Sequence, residues 1–309
     1  MGNAAGGFWH LLWVHWRSLK NSPQSRDGKD RLRLVFFGGL ALIFMLATAW
    51  GAYWLFSQFL QAEFLAELLI RRVLDITLIF FSGLLIFSSL IAGFSSFFLA
   101  EDLSLLVSSP IPVGRLYLAR LSQTWSQSSW MVLVFAVPVF AGVGPVLGAP
   151  IWFYFSIPLV LFPLTVLCAA MGTWVTLILA RWLPARRTRD LMVVLAVVGF
   201  LVLYVAFRFA EPERFLAPDG FEDLVALVAG LTSGDLPFMP TAWALDTLLA
   251  FARGETQGVS LPLLALFSAA GTSCALGVWL ARSVLLTGLS LAQDRVYRTL
   301  PRPPSMTTP

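Results

Sequence analysis

The residues that could carry out covalent chemistry are few and poorly placed for it. Both histidines, His10 and His15, fall in the N-terminal segment, and no HExxH pair, GxxxxGK[ST] loop or paired carboxylates occur inside an apolar run. Metal-assisted hydrolysis, acid–base catalysis and nucleotide binding therefore lack their groups. Cys168 and Cys274 lie within apolar runs, where a thiol behaves as a small apolar side chain, so neither a disulfide nor a metal site is expected. Asp75 is the single carboxylate in a predicted span. Intramembrane carboxylates are functional candidates, but Asp75 follows Arg71 and Arg72 at the spacing of a local helical ion pair. No catalytic residue and no metal ligand is assigned, and the chain itself is expected to bind no cofactor.

The informative polar cluster is FLAEDLSLLVSSPIPVGRLYLAR, residues 98–120, which separates two long apolar runs. On a helical wheel Leu99, Leu103, Leu106 and Val107 share one side, opposite Glu101, Ser104 and Ser108. Glu101 and Asp102 sit in the first turn, where the helix dipole favours negative charge. Pro110 and Pro112 end the helix near Ser109. The spacing predicts a short helix over 101–109. Leu105 falls beside Glu101 on the polar side, where an apolar side chain gains little unless a partner protein covers it. A short rigid helix between two spans is what a membrane domain needs if a separate protein is to push on it. An interfacial connector is the plainer alternative.

The chain is 58% hydrophobic and 12% charged, about half the charge of an average soluble domain. Runs of roughly 20 apolar residues, enough to cross a bilayer core, recur along it. The fold class is an all-α polytopic membrane protein with six spans, over 34–56, 73–98, 128–146, 151–179, 191–209 and 261–286. Of the 21 Lys and Arg residues, all except Arg71, Arg72, Arg208, Arg214 and Arg253 fall in the N-terminal segment, the second and fourth connections, the end of the sixth span at Arg282 and the tail. The positive-inside rule then places both termini, and the 101–109 helix, in the cytoplasm. The net charge of +4 is this orientation signal rather than a nucleic-acid surface. The opening MGNAAGGFWH has neither a signal-peptide pattern nor a myristoylation site.

The organisation becomes a cytoplasmic segment 1–33, a transmembrane domain 34–286 and a cytoplasmic tail 287–309. In the first segment Phe8, Leu12, Trp16 and Leu19 share a helical face, His10, Arg17 and Lys20 another, with Trp9 and Trp13 on the flanks. This pattern suits a helix in the headgroup layer, its basic residues toward anionic lipid. The external connection 210–260 is acidic and carries two short amphipathic helices, the second over 241–252. Ser82, Ser89, Gly93 and Ser96 lie on one face of the second span. Such a seam suits close helix packing, within the chain or across a dimer, and lining a pathway is the other reading. Gln123, Ser126, Gln127 and Ser128 precede the third span, facing either a cytoplasmic vestibule or the headgroups. Pro138, Pro158 and Pro163 kink or loosen the third and fourth spans.

AEDLSLLVSSPIPVGRLYLARL resembles the segment after the second span of ATP-binding-cassette exporter permeases of the type-2 class, and LPFMPTAW resembles their proline-then-tryptophan stretch before the last span. The layout is similar too: an N-terminal interfacial helix, six spans, a coupling helix after the second, and external helices between the fifth and sixth. The resemblance implies that Glu101, Asp102, Leu105, Ser108, Ser109, Pro110 and Arg115 couple the chain to partner ATPase subunits, which bind the ATP and Mg. It further implies a second permease copy or homologous half, since many relatives carry two six-span halves. The expected function is the permease subunit of an exporter in the cytoplasmic (inner) membrane. A membrane scaffold or assembly factor without an ATPase is the alternative.

Overall fold

The computed structural model describes residues 28–60, 66–98, 112–182, 239–255 and 258–299, together with 197, 199 and 201. The regular elements among them are helices: α1 (Gly28–Phe59), α2 (Ala66–Phe98), α3 (Val113–Val146), α4 (Ile151–Trp182), α5 (Pro240–Ala252) and α6 (Ser260–Thr299). No strand occurs among the described residues. A chain with this little charge must pair its backbone groups within each segment once water is removed, and the helix does so.

Among the described residues, five stretches are long and apolar enough to cross a membrane: Val35–Phe59, Ala66–Ser96, Val113–Val146, Ile151–Leu179 and Ser260–Ser283. Their outer surfaces are apolar. Val35 is 69% exposed, Trp152 72% and Leu261 76%, values that would be costly for such residues in water and are natural against lipid. The protein is a membrane protein, helical throughout its regular described elements. The segment expected to form a fifth span, 191–209, lies outside the described residues apart from 197, 199 and 201, which are helical. The expected interfacial helix near the N-terminus and the expected helix over 101–109 also lie outside them.

The helix that carries the expected third span starts well ahead of residue 128. The helix begins at Val113, about 50 Å from its far end at 1.5 Å per residue. Gln123, Ser126, Gln127 and Ser128 therefore lie in the body of α3. The polar side chains around residue 124 do not end the helix because Thr124, Ser128 and Ser129 turn inward and are buried.

α4 is the centre of the bundle, packing on α2, α3 and α6. α1 meets the rest chiefly through α3, and α5 wedges among α2, α4 and α6. α5 opens on Pro240, which costs no helical hydrogen bond at that position. Its apolar face, Ala244, Leu245, Leu248, Leu249 and Ala252, is buried in the same cluster as Leu69, Ile70, Leu74 and Leu266. The α3–α4 turn uses Gly148 at φ +63, a conformation nearly free of cost for glycine alone. The amide of Ala149 donates to the Gly144 carbonyl at 2.9 Å to close it.

Candidate functional site

Inside the bundle the small and hydroxyl-bearing residues of α2 meet those of α3 and α4. Ser89 Oγ donates to Ser128 Oγ at 2.9 Å, and Ser128 Oγ donates to the Thr124 carbonyl at 2.9 Å. Further along α2, Ser96 Oγ and Thr124 Oγ1 are 3.0 Å apart. Between these pairs α2 touches α4. A Cβ on Gly93 would lie 2.8 Å from Thr176 Oγ1, and one on Gly172 would lie 2.7 Å from both the Ile86 carbonyl oxygen and Ser89 Cβ. Thr176 Oγ1 reaches the Leu90 carbonyl of α2 at 3.1 Å. The absence of side chains at Gly93 and Gly172 is what lets the helices approach so closely. Ser89, Gly93 and Ser96 thus face neighbours within the chain. Ser82 borders a void of about 10 Å³ shared with Leu85, Thr165 and Cys168, at or below the room one water needs.

A second polar layer joins α3, α4 and α6. Tyr117, fully buried, places its hydroxyl 3.1 Å from Thr173 Oγ1. Trp125 Nε1 donates to Thr165 Oγ1 at 3.0 Å, and Trp174 Nε1 to the Ser273 carbonyl at 3.1 Å. Tyr117 fits because α6 carries Gly277 against its ring and hydroxyl. Each such bond contributes roughly 0.6–2 kcal/mol in a membrane. No group of three His, Cys, Asp or Glu side chains that could hold a metal occurs among the described residues. The two layers position helices; neither sets a base beside a nucleophile.

Three ion pairs among the described residues gather at the start of α2. Arg72 pairs with Asp75 at 3.6 Å within the helix. Arg71 does not join that local pair as its spacing suggested: it reaches Asp246 of α5 at 2.7 Å, because α5 packs alongside this face of α2. Arg253, just past the end of α5, pairs with Glu67. The partners Asp246 and Glu67 escape a sequence reading, since no local spacing links them to their arginines. The one available signal is the isolated carboxylate of Asp246 within the otherwise uncharged PTAWALDTLLAFA.

Of the expected coupling residues, Arg115 is described and lies in the first turn of α3, its amide donating to the Pro112 carbonyl at 2.9 Å. The adjoining Gly114 packs toward α6, where an added Cβ would lie 3.1 Å from Val278 Cγ1 and 3.7 Å from Arg282 Nη2. Glu101, Asp102, Leu105, Ser108, Ser109 and Pro110 lie outside the described residues, as do Trp9, Trp13, Trp16, Arg17 and Lys20. A groove of about 450 Å³, lined by Trp152, Phe155, Leu159 and Phe251, opens between the start of α4 and the end of α5.

The profile of a family described as "Putative ATP-binding cassette" matches residues 25–300. A search of curated proteins and a search of solved structures each found no match.

Proposed function

The chain belongs to this ATP-binding cassette family, and from that membership we propose that it is the membrane-embedded permease subunit of an ATP-driven exporter. One observation carries the reading. The matched region takes in all five candidate spans, yet the sequence has no GxxxxGK[ST] loop with which to cradle phosphates. A helical membrane chain in a family named for ATP binding is accounted for if a partner chain binds the ATP and Mg.

In this reading two ATPase subunits dock on the cytoplasmic face of a permease dimer in the inner membrane, with both permease termini on that side. Nucleotide-driven closure pushes the segment around Glu101 to Ser109. That segment joins the end of α2 to the start of α3, so both helices receive the stroke. The hydroxyl pairs between α2 and α3 and the glycine contacts between α2 and α4 make these helices one block, so the movement is transmitted rather than absorbed. Pro158 and Pro163 of α4 leave carbonyls unpaired in the ladder and ease bending there. Movement of the block against the second copy gives alternating access or a lateral gate. Among the described residues the buried charged side chains are Arg72 and Arg120, and this scarcity favours an amphipathic or lipid-like cargo over a small inorganic ion.

Leu105→Asp tests the coupling. The substitution is expected to leave the permease inserted and folded while abolishing ATPase association, because an unpaired charge is driven into an apolar socket. Interface anchors of this kind cost about 2 kcal/mol or more when lost, roughly a thirtyfold loss of affinity. Leu103→Asp, on the membrane-facing side, is expected to lower the amount of inserted protein instead. Membrane levels and ATPase co-purification of each variant separate the outcomes. Normal ATPase binding by Leu105→Asp sinks the docking assignment, and equal loss of both variants from the membrane favours a scaffold with a structural connector.

A further inference from the structure

The two ends of α2 are tied to different things. Its far end leads into residues 99–111. Its first turns hold two ion pairs to α5, Glu67 with Arg253 and Arg71 with Asp246. The earlier residue of α2 pairs with the later residue near α5, so the helices lie antiparallel and are braced at two points along α5. Between the braces lie Leu69 and Ile70 of α2 and Leu248 and Leu249 of α5, and Leu74 and Leu245 just beyond them belong to the same core cluster. Apolar contact alone is non-directional and lets helices slide. The ion pairs add register. Arg72 pairs within α2 to Asp75. Past α5 the chain turns to α6 through Gly254 at φ +73 and Gly258 at φ +93.

We propose that this brace makes α5 follow α2, so that a displacement entering at residues 99–111 emerges at the opposite end of the bundle as a displacement of α5. The inference rests on the permease reading, and it assigns to α5 the role of a gate element worked through α2. Arg71, Asp246, Glu67 and Arg253 are its positioning residues.

Backbone hydrogen exchange over 240–252, measured with the full chain in nanodiscs, tests the brace and the coupling separately. In the permease alone, Arg71→Asp is expected to speed exchange there by roughly two- to fivefold, the scale of a half-exposed ion pair. The reversed pair Arg71→Asp/Asp246→Arg is expected to restore it, and Asp246→Asn serves as a milder disruption should charge reversal impair folding. In the complex with its ATPase, trapping with ADP and vanadate is expected to change exchange at both 99–111 and 240–252. With Arg71→Asp the response at 99–111 remains, the response at 240–252 is lost, and the reversed pair recovers it. A response at 240–252 that is unchanged in Arg71→Asp overturns the inference. So does a wild-type response confined to 99–111. If no ATPase associates with the wild type, the permease reading falls and the gate role falls with it, while the exchange of the permease alone still decides whether the brace exists.

Discussion

Gly142→Leu is expected to detach α1 from the bundle. A Cβ at this position would overlap the backbone carbonyl of Ala49 and lie 3.1 Å from Ala52 Cβ. A backbone group within a helix cannot swing aside as the end of a flexible side chain can, so the whole of α1 must move. Among the described residues, the contacts of α1 with the bundle run chiefly through α3. Overpacking of this kind costs about 1–3 kcal/mol, and more where no neighbour can yield. The measurement is the fraction of detergent-solubilised protein that stays monodisperse through a heating series, where Gly142→Leu should fail well below the wild type. Gly39→Ala is the control. Nothing lies within 4 Å of a Cβ at Gly39, so that variant is expected to match or slightly exceed the wild type.

Gly277→Ala is expected to have a comparable effect through a different contact. Tyr117 is among the largest fully buried side chains, and its ring and hydroxyl occupy the space that a Cβ on Gly277 would take. The added methyl must expel the ring, break the 3.1 Å contact with Thr173 and push α6 away from α3. The cost is again about 1–3 kcal/mol. Tyr117→Leu alone leaves a cavity and is expected to cost a similar amount. The double variant should recover part of the loss, because the shorter side chain makes room for the methyl. Such recovery is the signature of two residues sharing one space, and additive losses in the melting series would show that they do not.

These contacts mark the limit of what the sequence could say. The spacing of Ser89, Gly93 and Ser96 revealed a face of small residues but not what covers it. Their partners, Ser128, Thr124 and Thr176, are on other helices, and no local pattern links them. Glutamines and serines ahead of an apolar run resemble the membrane boundary, but Thr124 and Ser128 satisfy their hydroxyls with Ser96, Ser89 and their own helix, so α3 continues past them. Charge pairing divided in the same way. Arg72 and Asp75 are three residues apart and the pair was readable, whereas Arg71 and Asp246 are 175 residues apart and required the packing of α5. The long apolar runs were the most legible feature, since crossing a bilayer constrains composition over some 20 residues at once.

The most direct test of the permease assignment is to purify the full-length chain from its native membrane, quantify any ATPase that accompanies it, and assay ATP hydrolysis with and without that partner. The expected result is one ATPase copy per permease chain and saturable hydrolysis found only when the ATPase is present, because the permease has no phosphate-binding loop of its own. Stoichiometric, saturable hydrolysis by the homogeneous chain alone, or a native preparation in which no ATPase accompanies it, would contradict the assignment.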